Sequence, residues 1–279
     1  MAETAFQRQY RQEQIAAFEF GQSMLRATCT TEMMRKGNEA YFLVAGSGDA
    51  SAVTRGVNGL IPSRADSLTQ NACTLQEWHD KVRKTQFNIF GSQSDQRKIM
   101  QDTSVKVMNR KVDDDILDQL NTATNDTGSA ATASINMVTH AQAILGNADV
   151  DIEQEDNMFG VISPAFRAYL LRDNSFASAD YVEVKPLVGP AKKMLRWAGV
   201  NWIVHSRVPG VGTNAEKCFL YHRDSIGHAC DTDNLSANTG HNEEEDYYWA
   251  RTSCFMGSKL LQNSGVVVMN HDGSALVAS

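Results

Sequence analysis

Residues 158–172 read MFGVISPAFRAYLLR, and this stretch sets the class of the fold. Positions 158–163 (MFGVIS) form a short apolar run with no polar alternation. Such a run predicts a strand buried on both faces. Pro164 follows where a helix best tolerates proline, because the first turn leaves its N–H positions unbonded anyway. Residues 165–172 (AFRAYLLR) then predict a helix. Downstream, 181–184 (YVEV), 200–205 (VNWIVH), 217–222 (KCFLYH) and 265–270 (GVVVMN) predict further short strands. Residues 189–199 read as a turn-bearing link and 224–230 as a short helix. Residues 246–259 read as an aromatic-rich strand or strand pair. With a short helix at 134–145, the chain is α+β, and it contains no internal repeat.

Upstream lies the clearest helical pattern. Ser92 and Asp95 make an S-x-x-D capping signal. Val105, Met108, Val112, Ile116 and Leu120 follow at steps of three or four, with Ile99 near the same stripe. The predicted helix runs from about 95 to 121, roughly 40 Å at 1.5 Å per residue. That length suits a spine across a flat subunit, and 122–129 (TATNDTGS) ends it. Residues 75–90 (LQEWHDKVRKTQFNIF) are amphipathic and mixed. Residues 40–45 (AYFLVA) predict a strand that runs into the turn Gly46-Ser47-Gly48-Asp49. From there to Gln76 the chain is rich in Gly, Ser, Thr and Ala, with isolated apolar residues at Val53, Val57, Leu60 and Ile61. Connections of about 30 residues are seldom without a task in a compact domain. This one predicts an extended β-hairpin that projects outward and meets another surface. Residues 3–35 predict a helical arm, with Phe6, Tyr10, Ile15, Phe18, Met24 and Leu25 at near-helical spacing. Packing on a neighbour and packing on its own core are both compatible with so narrow a stripe.

The chain has 279 residues, 42% hydrophobic and 21% charged, enough for one large or two modest cores. A net charge of −7 argues against tight, general DNA binding and leaves weak contact open. Lys and Arg concentrate between Lys81 and Lys111, whereas 113–160 contain neither and are rich in Asp and Glu. Two solvated faces explain this pattern, and so does complementary charge between copies of one subunit. Five cysteines (Cys29, Cys73, Cys218, Cys230, Cys254) form no C-x-x-C pair and read as small buried apolar residues in a reducing compartment. The first 24 residues hold no continuous apolar stretch, so no secretory signal is expected. No segment approaches the roughly 20 apolar residues of a membrane span. The expectation is a soluble protein made in a cytoplasm, whose sequons at Asn125 and Asn234 are polar loops only.

Signatures of catalysis do not appear. There is no Walker A loop, G-x-S-x-G elbow or H-E-x-x-H helix, and Gly46-Ser47-Gly48 lacks a third glycine. His222, His228 and Cys230 (H-x5-H-x-C) lack the further ligands a metal site needs and read as structural. Glu243, Glu244, Glu245 and Asp246 lack the glycine punctuation of a calcium loop and read as a solvated turn. Trp78, Trp197, Trp202 and Trp249 are scattered, as core or interface anchors are. No catalytic, cofactor-binding or metal-binding residue is expected. An enzyme with a dispersed site is the alternative from another class.

The order of parts resembles the major capsid proteins of tailed bacteriophages, which have the HK-97 fold. The residues that carry the resemblance are 158–172, 200–210 (VNWIVHSRVPG) and 218–230 (CFLYHRDSIGHAC). The stretch 58–66 (NGLIPSRAD) through 87–100 (FNIFGSQSDQRKIM) is similar to a subgroup of such coat proteins. The resemblance implies an α+β, HK-97-type fold with four parts. These are an N-terminal arm (1–43), an extended β-hairpin loop (44–76), a peripheral domain with the spine helix (77–129 with 251–279) and a mixed α/β axial domain (130–250). It implies self-assembly into hexamers and pentamers of an icosahedral head that encloses double-stranded DNA. Scaffolding and portal proteins, and a decoration protein, are the implied partners. The implied location is the virion, after assembly in the host cytoplasm, with no membrane and no cofactor. Some members crosslink through a lysine on the loop, but residues 45–76 hold Arg55 and Arg64 and no lysine, so a noncovalent shell is expected. The length before Ala40 leaves no room for a fused scaffolding segment, so any scaffold is expected to be separate. An encapsulin-like nanocompartment shell is the alternative within the same fold.

Overall fold

The computed structural model describes residues 23–34, 37–46, 51–64, 67–87, 96–154, 156–172, 194–231 and 236–274. In chain order the strands and helices are β1 (Thr30–Met34), β2 (Glu39–Gly46), β3 (Ser67–Thr74), β4 (Gln76–Thr85), α1 (Gln96–Leu120), α2 (Ile135–Asn147), β5 (Met158–Ile162), α3 (Pro164–Arg172), β6 (Met194–Trp197), β7 (Val200–Val204), β8 (Glu216–His222), β9 (Ile226–Asp231), β10 (Ser236–Asn242), β11 (Tyr247–Leu260) and β12 (Val266–His271). The helical reading of residues 1–22, the Ser92/Asp95 cap, the turn at Ser47-Gly48-Asp49 and the strand at 181–184 lie outside the described residues.

The apolar runs become one five-stranded sheet, in the order β12-β8-β5-β7-β6. β5 is buried throughout, parallel to β7 and antiparallel to β8. Successive side chains of a strand point to opposite faces, and here each face meets a core of its own. Phe159, Val161, Phe219, Tyr221, Val266 and Val268 join the core that contains α1 and the other large sheet. Met158, Ile162, Cys218, Leu220, Val267 and Met269 join a second core closed by α2 and α3. Polar alternation is missing from these strands because neither face sees water. The starts of α2 and α3 are capped by serine side chains. Ser163 Oγ accepts the Phe166 amide at 2.9 Å and Ser134 Oγ accepts that of Met137 at 3.4 Å. Residues 194–197, read as part of a link, are the strand β6. Ala198 (φ 51°) and Gly199 (φ 70°) form the two-residue turn into β7, both in the left-handed region that such a hairpin requires.

α1 has 25 residues, about 37 Å at 1.5 Å per residue. Its buried line runs Met100, Ser104, Met108, Val112, Ile116 and Leu120, in steps of four. Val105, expected on that stripe, falls one residue off it and is 42% exposed. The other large sheet is built on the 14-residue β11, a single strand where a strand or a pair was expected. β4 pairs along one edge of β11, while β9 and then β10 pair along the other. β1 adds to β9 in parallel. Two further expectations are corrected here. Residues 30–34 are β1, where the 3–35 stripe predicted helix, because their backbone groups are taken by β9. Residues 226–231 are β9, where a helix was expected, because Gly227, Ala229 and Cys230 are small enough to lie between β1 and β11. β2 and β3 pair over eight positions, from Glu39↔Thr74 to Gly46↔Ser67, as the projecting hairpin. Among the described residues, no helix is long and apolar enough to cross a membrane.

Candidate assembly surfaces

The hairpin is fixed to the body at its base. Ala40, Phe42 and Cys73 pack on Ala229 of β9. The Phe42 ring lies against Gly227, where an added Cβ would stand 2.8 Å from Phe42 Cζ. Asn71 Nδ2 donates to the Leu261 carbonyl at 3.3 Å, and the Leu75 amide donates to that of Asn38 at 2.8 Å. The opposite face is apolar and open: Tyr41, Leu43 and Leu68 are each more than half exposed. Beyond the ladder the apolar exposure continues through Val53, Val57, Leu60 and Ile61, with Val57 wholly exposed. A small turn holds this part of the loop, with the Gly56 amide donating to Leu60 O at 3.0 Å and Arg55 Nη1 to Gly59 O at 3.1 Å. So many exposed apolar side chains on an outreaching segment make a candidate contact surface, because exposed apolar area is stabilised by leaving water.

A second feature fixes the N-terminal segment where it meets the body. Asp113 of α1 is 2% exposed. Its Oδ1 accepts from Ser23 Oγ at 2.6 Å and from the Leu25 amide at 3.1 Å. Its Oδ2 accepts from the Met24 amide at 3.2 Å and faces His205 Nε2 at 3.4 Å. His205 Nδ1 accepts the Arg207 amide, so the ring proton sits on Nε2 and points at Asp113. Burial alone pushes the Asp113 carboxyl up, but the hydrogen bonds from His205, Ser23, Leu25 and Met24 outweigh it and hold it below its ordinary value. Thr28 Oγ1 hydrogen-bonds the buried Tyr221 hydroxyl, and Leu25 and Cys29 fill the core beside α1. Nothing in the sequence singled out Asp113, one of three aspartates in a row.

The residues considered for metal chemistry are not brought together. His222 Nδ1 accepts the Asp224 amide, His228 Nδ1 pairs with Ser258 Oγ at 3.0 Å, and Cys230 Sγ accepts from Arg26 Nη2 at 2.9 Å. Burial first, and the Arg26 guanidinium second, hold His228 down to about 4, so its ring is neutral. Among the described residues, no group of three His, Cys, Asp or Glu side chains is placed to hold a metal ion. All five cysteines are buried and free. Burial pushes the Cys29 thiol up to about 12 and those of Cys73 and Cys254 up to about 11. Glu243, Glu244, Glu245 and Asp246 form the exposed β10–β11 turn, in which Asn242 Oδ1 accepts the Glu244 and Glu245 amides. The tryptophans have separate roles. Trp202 packs flat on Gly160 and donates to Trp197 O, Trp78 lies under Lys111 of α1, and Trp249 covers Gly240.

An α+β body with two cores on one sheet, a long helix and an apolar arm-like hairpin is the architecture of a subunit built to pack on others. The comparison with protein families gives the particular one: the family described as phage capsid protein matches residues 2–273. The chain belongs to that family. Similar solved structures agree. A chain from Mycobacterium phage Che8 is 16% identical, with a TM-score of 0.70 over 94% of this chain and 95% of that one. The capsid of Ralstonia phage GP4 is 12% identical, with a TM-score of 0.68 over 95% of each. The capsid of the native GTA particle, computed with C5 symmetry, is 12% identical, with a TM-score of 0.66 over 98% of this chain and 99% of that one. At these identities the likeness establishes the fold, which is the HK-97 type. No curated protein matches the sequence. The chain is therefore a major capsid protein, a structural component of a phage shell and not a member of an enzyme family.

Proposed function

We propose that this protein assembles noncovalently into hexamers and pentamers of an icosahedral head enclosing double-stranded DNA. The single observation that carries this reading is the open apolar face of the hairpin, Tyr41, Leu43 and Leu68, continued by Val53, Val57, Leu60 and Ile61. In the proposal a second copy covers it. Each overlap is modest, and a closed shell multiplies it over many copies. The five-fold symmetry of the similar GTA capsid supports pentamers at the vertices. Noncovalent closure is supported by residues 45–76, whose two cations, Arg55 and Arg64, are guanidinium groups that do not form amide crosslinks readily. The proposal keeps an arm (1–43), a loop (44–76), a peripheral part (77–129 with 251–279) and an axial part (130–250). Strands cross between the last two, since β9 and β10 pair with β11, and β12 with β8. Assembly in the host cytoplasm with portal, scaffolding and decoration proteins belongs to the same proposal.

The test is the full chain with Leu43→Ser, Leu60→Ser and Ile61→Ser. Exposed in the subunit, these positions tolerate serine without unfolding, and shells are expected to be lost from sedimentation profiles and electron micrographs. Normal shell yield from this variant contradicts the proposal. Shells from the unaltered chain, boiled in detergent, are expected to run as one band at the monomer position.

A further inference from the structure

The three strands β4, β11 and β10 form a ribbon whose two faces differ. Paired residues in adjacent strands point to the same side. One side carries Trp78 and Val82 of β4 with Cys254 and Met256 of β11, and α1 covers it, with Lys111 Nζ 3.9 Å over the Trp78 ring. The other side carries Lys81 and Arg83 of β4 with Tyr247, Trp249 and Arg251 of β11. Lys81, Arg83 and Arg251 are exposed. Trp249 lies flat across Gly240 of β10, where an added Cβ would stand 2.6 Å from its ring. The cations stand on this aromatic floor: Lys81 Nζ is 5.5 Å from the Trp249 centroid and Arg83 Cζ is 4.9 Å from that of Tyr247.

No carboxylate among the described residues neutralises Lys81, Arg83 or Arg251. Glu77, on the same side, is already held by His79 at 2.8 Å, and β10 contributes Asn238, Gly240 and Asn242. Two other exposed arginines are paired, Arg196 with Asp156 and Arg207 with Asp114, each at 2.8 Å. Lys81, Arg83 and Arg251 thus form an open cluster of three cations on a chain of net charge −7. The same ribbon ends in the opposite charge. Glu243, Glu244 and Glu245 are exposed and meet no cation among the described residues, and the Asn242 side chain fixes the turn that presents them. Four ladder positions separate Tyr247, beside this turn, from Arg251, about 13 Å at 3.3 Å per residue. The turn of one chain therefore does not fold back onto the far end of its own basic face.

We propose that the Lys81/Arg83/Arg251 face is the docking surface for the acidic 243–246 turn of a second copy, in a head-to-tail contact. This rests on the shell-subunit reading above and adds to it a second, electrostatic contact besides the apolar hairpin. Donor and acceptor lie on one rigid ribbon, so every copy offers both, and the contact is heterologous and closes into a ring or a lattice. Its charges set register and suppress wrong pairings, which is what opposed charges at an interface do best. Bound nucleic acid is the rival occupant of a basic aromatic face.

Three variants of the full chain decide: K81E/R83E/R251E, E243K/E244K/E245K and the six-fold combination. The readout is the fraction of folded protein recovered as particles, with folding followed by circular dichroism. Each triple reversal is expected to lower that fraction by at least about tenfold, and the combination to restore it to within about threefold of the unaltered chain. A combination as deficient as its parents, or triple variants that assemble normally, overturns the proposal. So do K81E/R83E/R251E particles formed in full yield but depleted of nucleic acid, which assign the face to nucleic acid. If a reversal fails to fold, K81C/E244C shells under mild oxidation give the answer, since all five native cysteines are buried. Reduction-sensitive multimers are expected, and monomers alone overturn the contact. Failure of the unaltered chain to form particles would instead strike the shell-subunit reading itself.

Discussion

Replacing Asp113 with alanine is expected to release the N-terminal segment from the body. The carboxylate serves three donors from residues 23–25 and faces the His205 Nε2 proton, all within 3.4 Å. Alanine strands two fully buried donors, the Leu25 amide and His205 Nε2. At about 1–3 kcal/mol for each buried donor left without an acceptor, the cost is about 4 kcal/mol. Asparagine keeps one acceptor oxygen but turns an NH2 group toward the Met24 amide or His205, a cost of about 2 kcal/mol. Amide hydrogen exchange read by mass spectrometry on a peptide spanning 23–30 separates the two. In Asp113→Ala, exchange at Met24 and Leu25 is expected to accelerate by about a thousandfold, and in Asp113→Asn by about tenfold to a hundredfold, at 1.4 kcal/mol per factor of ten. The order Ala worse than Asn is part of the prediction. Unchanged exchange in both variants would show that Asp113 does not hold the segment, as would a urea midpoint for Asp113→Ala equal to that of the unaltered chain. Asp113 also carries a pH signature. Its folded pKa is depressed, so its contribution is complete above the ordinary carboxylate range and is lost as pH falls through the folded value.

His228 gives a second acid effect with a different window. Its folded pKa of about 4 lies below the ordinary 6.5, so the unfolded chain takes up the proton first and stability falls from pH 6.5 down to about 4. The loss is about 3 kcal/mol over that window, and urea titrations at pH 7 and pH 4 should show it shrink in His228→Asn, which keeps a partner for Ser258. Gly160→Ala puts a Cβ 2.4 Å from Trp202 Cε3 in the middle of a fully buried strand, and calorimetry should record a destabilisation of about 1–3 kcal/mol. The thiols of Cys29, Cys73 and Cys254, pushed up to between about 11 and about 12, are expected to resist alkylation at pH 8 until denaturant is added. Rapid labelling of the native protein would contradict their burial.

The parts of the fold that could be read from the sequence are those whose local chemistry has one outcome. The run at 158–162, β7, the start of β12 and the centre of β8 (Cys218–Tyr221) are apolar on nearly every residue, which only a strand covered on both faces can use. The Gly-, Ser- and Thr-rich stretch after Ala45 had too little to bury, and it is the hairpin's outer loop. What escaped was set by neighbours distant in the chain. β9 (IGHACD) shows no alternation because it is an inner strand of small residues with a neutral histidine, and β1 owes its extended backbone to β9. β4 alternates Glu77, His79, Lys81 and Arg83 on its open side, a period of two that its charges hid, so that 75–90 read only as amphipathic and mixed. Taken as a strand, the same alternation puts Lys81 and Arg83 side by side on one face. Asp113 was not legible at all, because its donors come from residues about 90 positions earlier and from His205.

Cryo-electron microscopy of the assembled shell reaches the decisive point in one experiment: what lies against Tyr41, Leu43, Leu60 and Leu68. Density from another copy of the chain is expected over that face at every quasi-equivalent position. A shell in which these side chains point into solvent, or a protein that remains a monomer with the hairpin folded onto its own body, would contradict it.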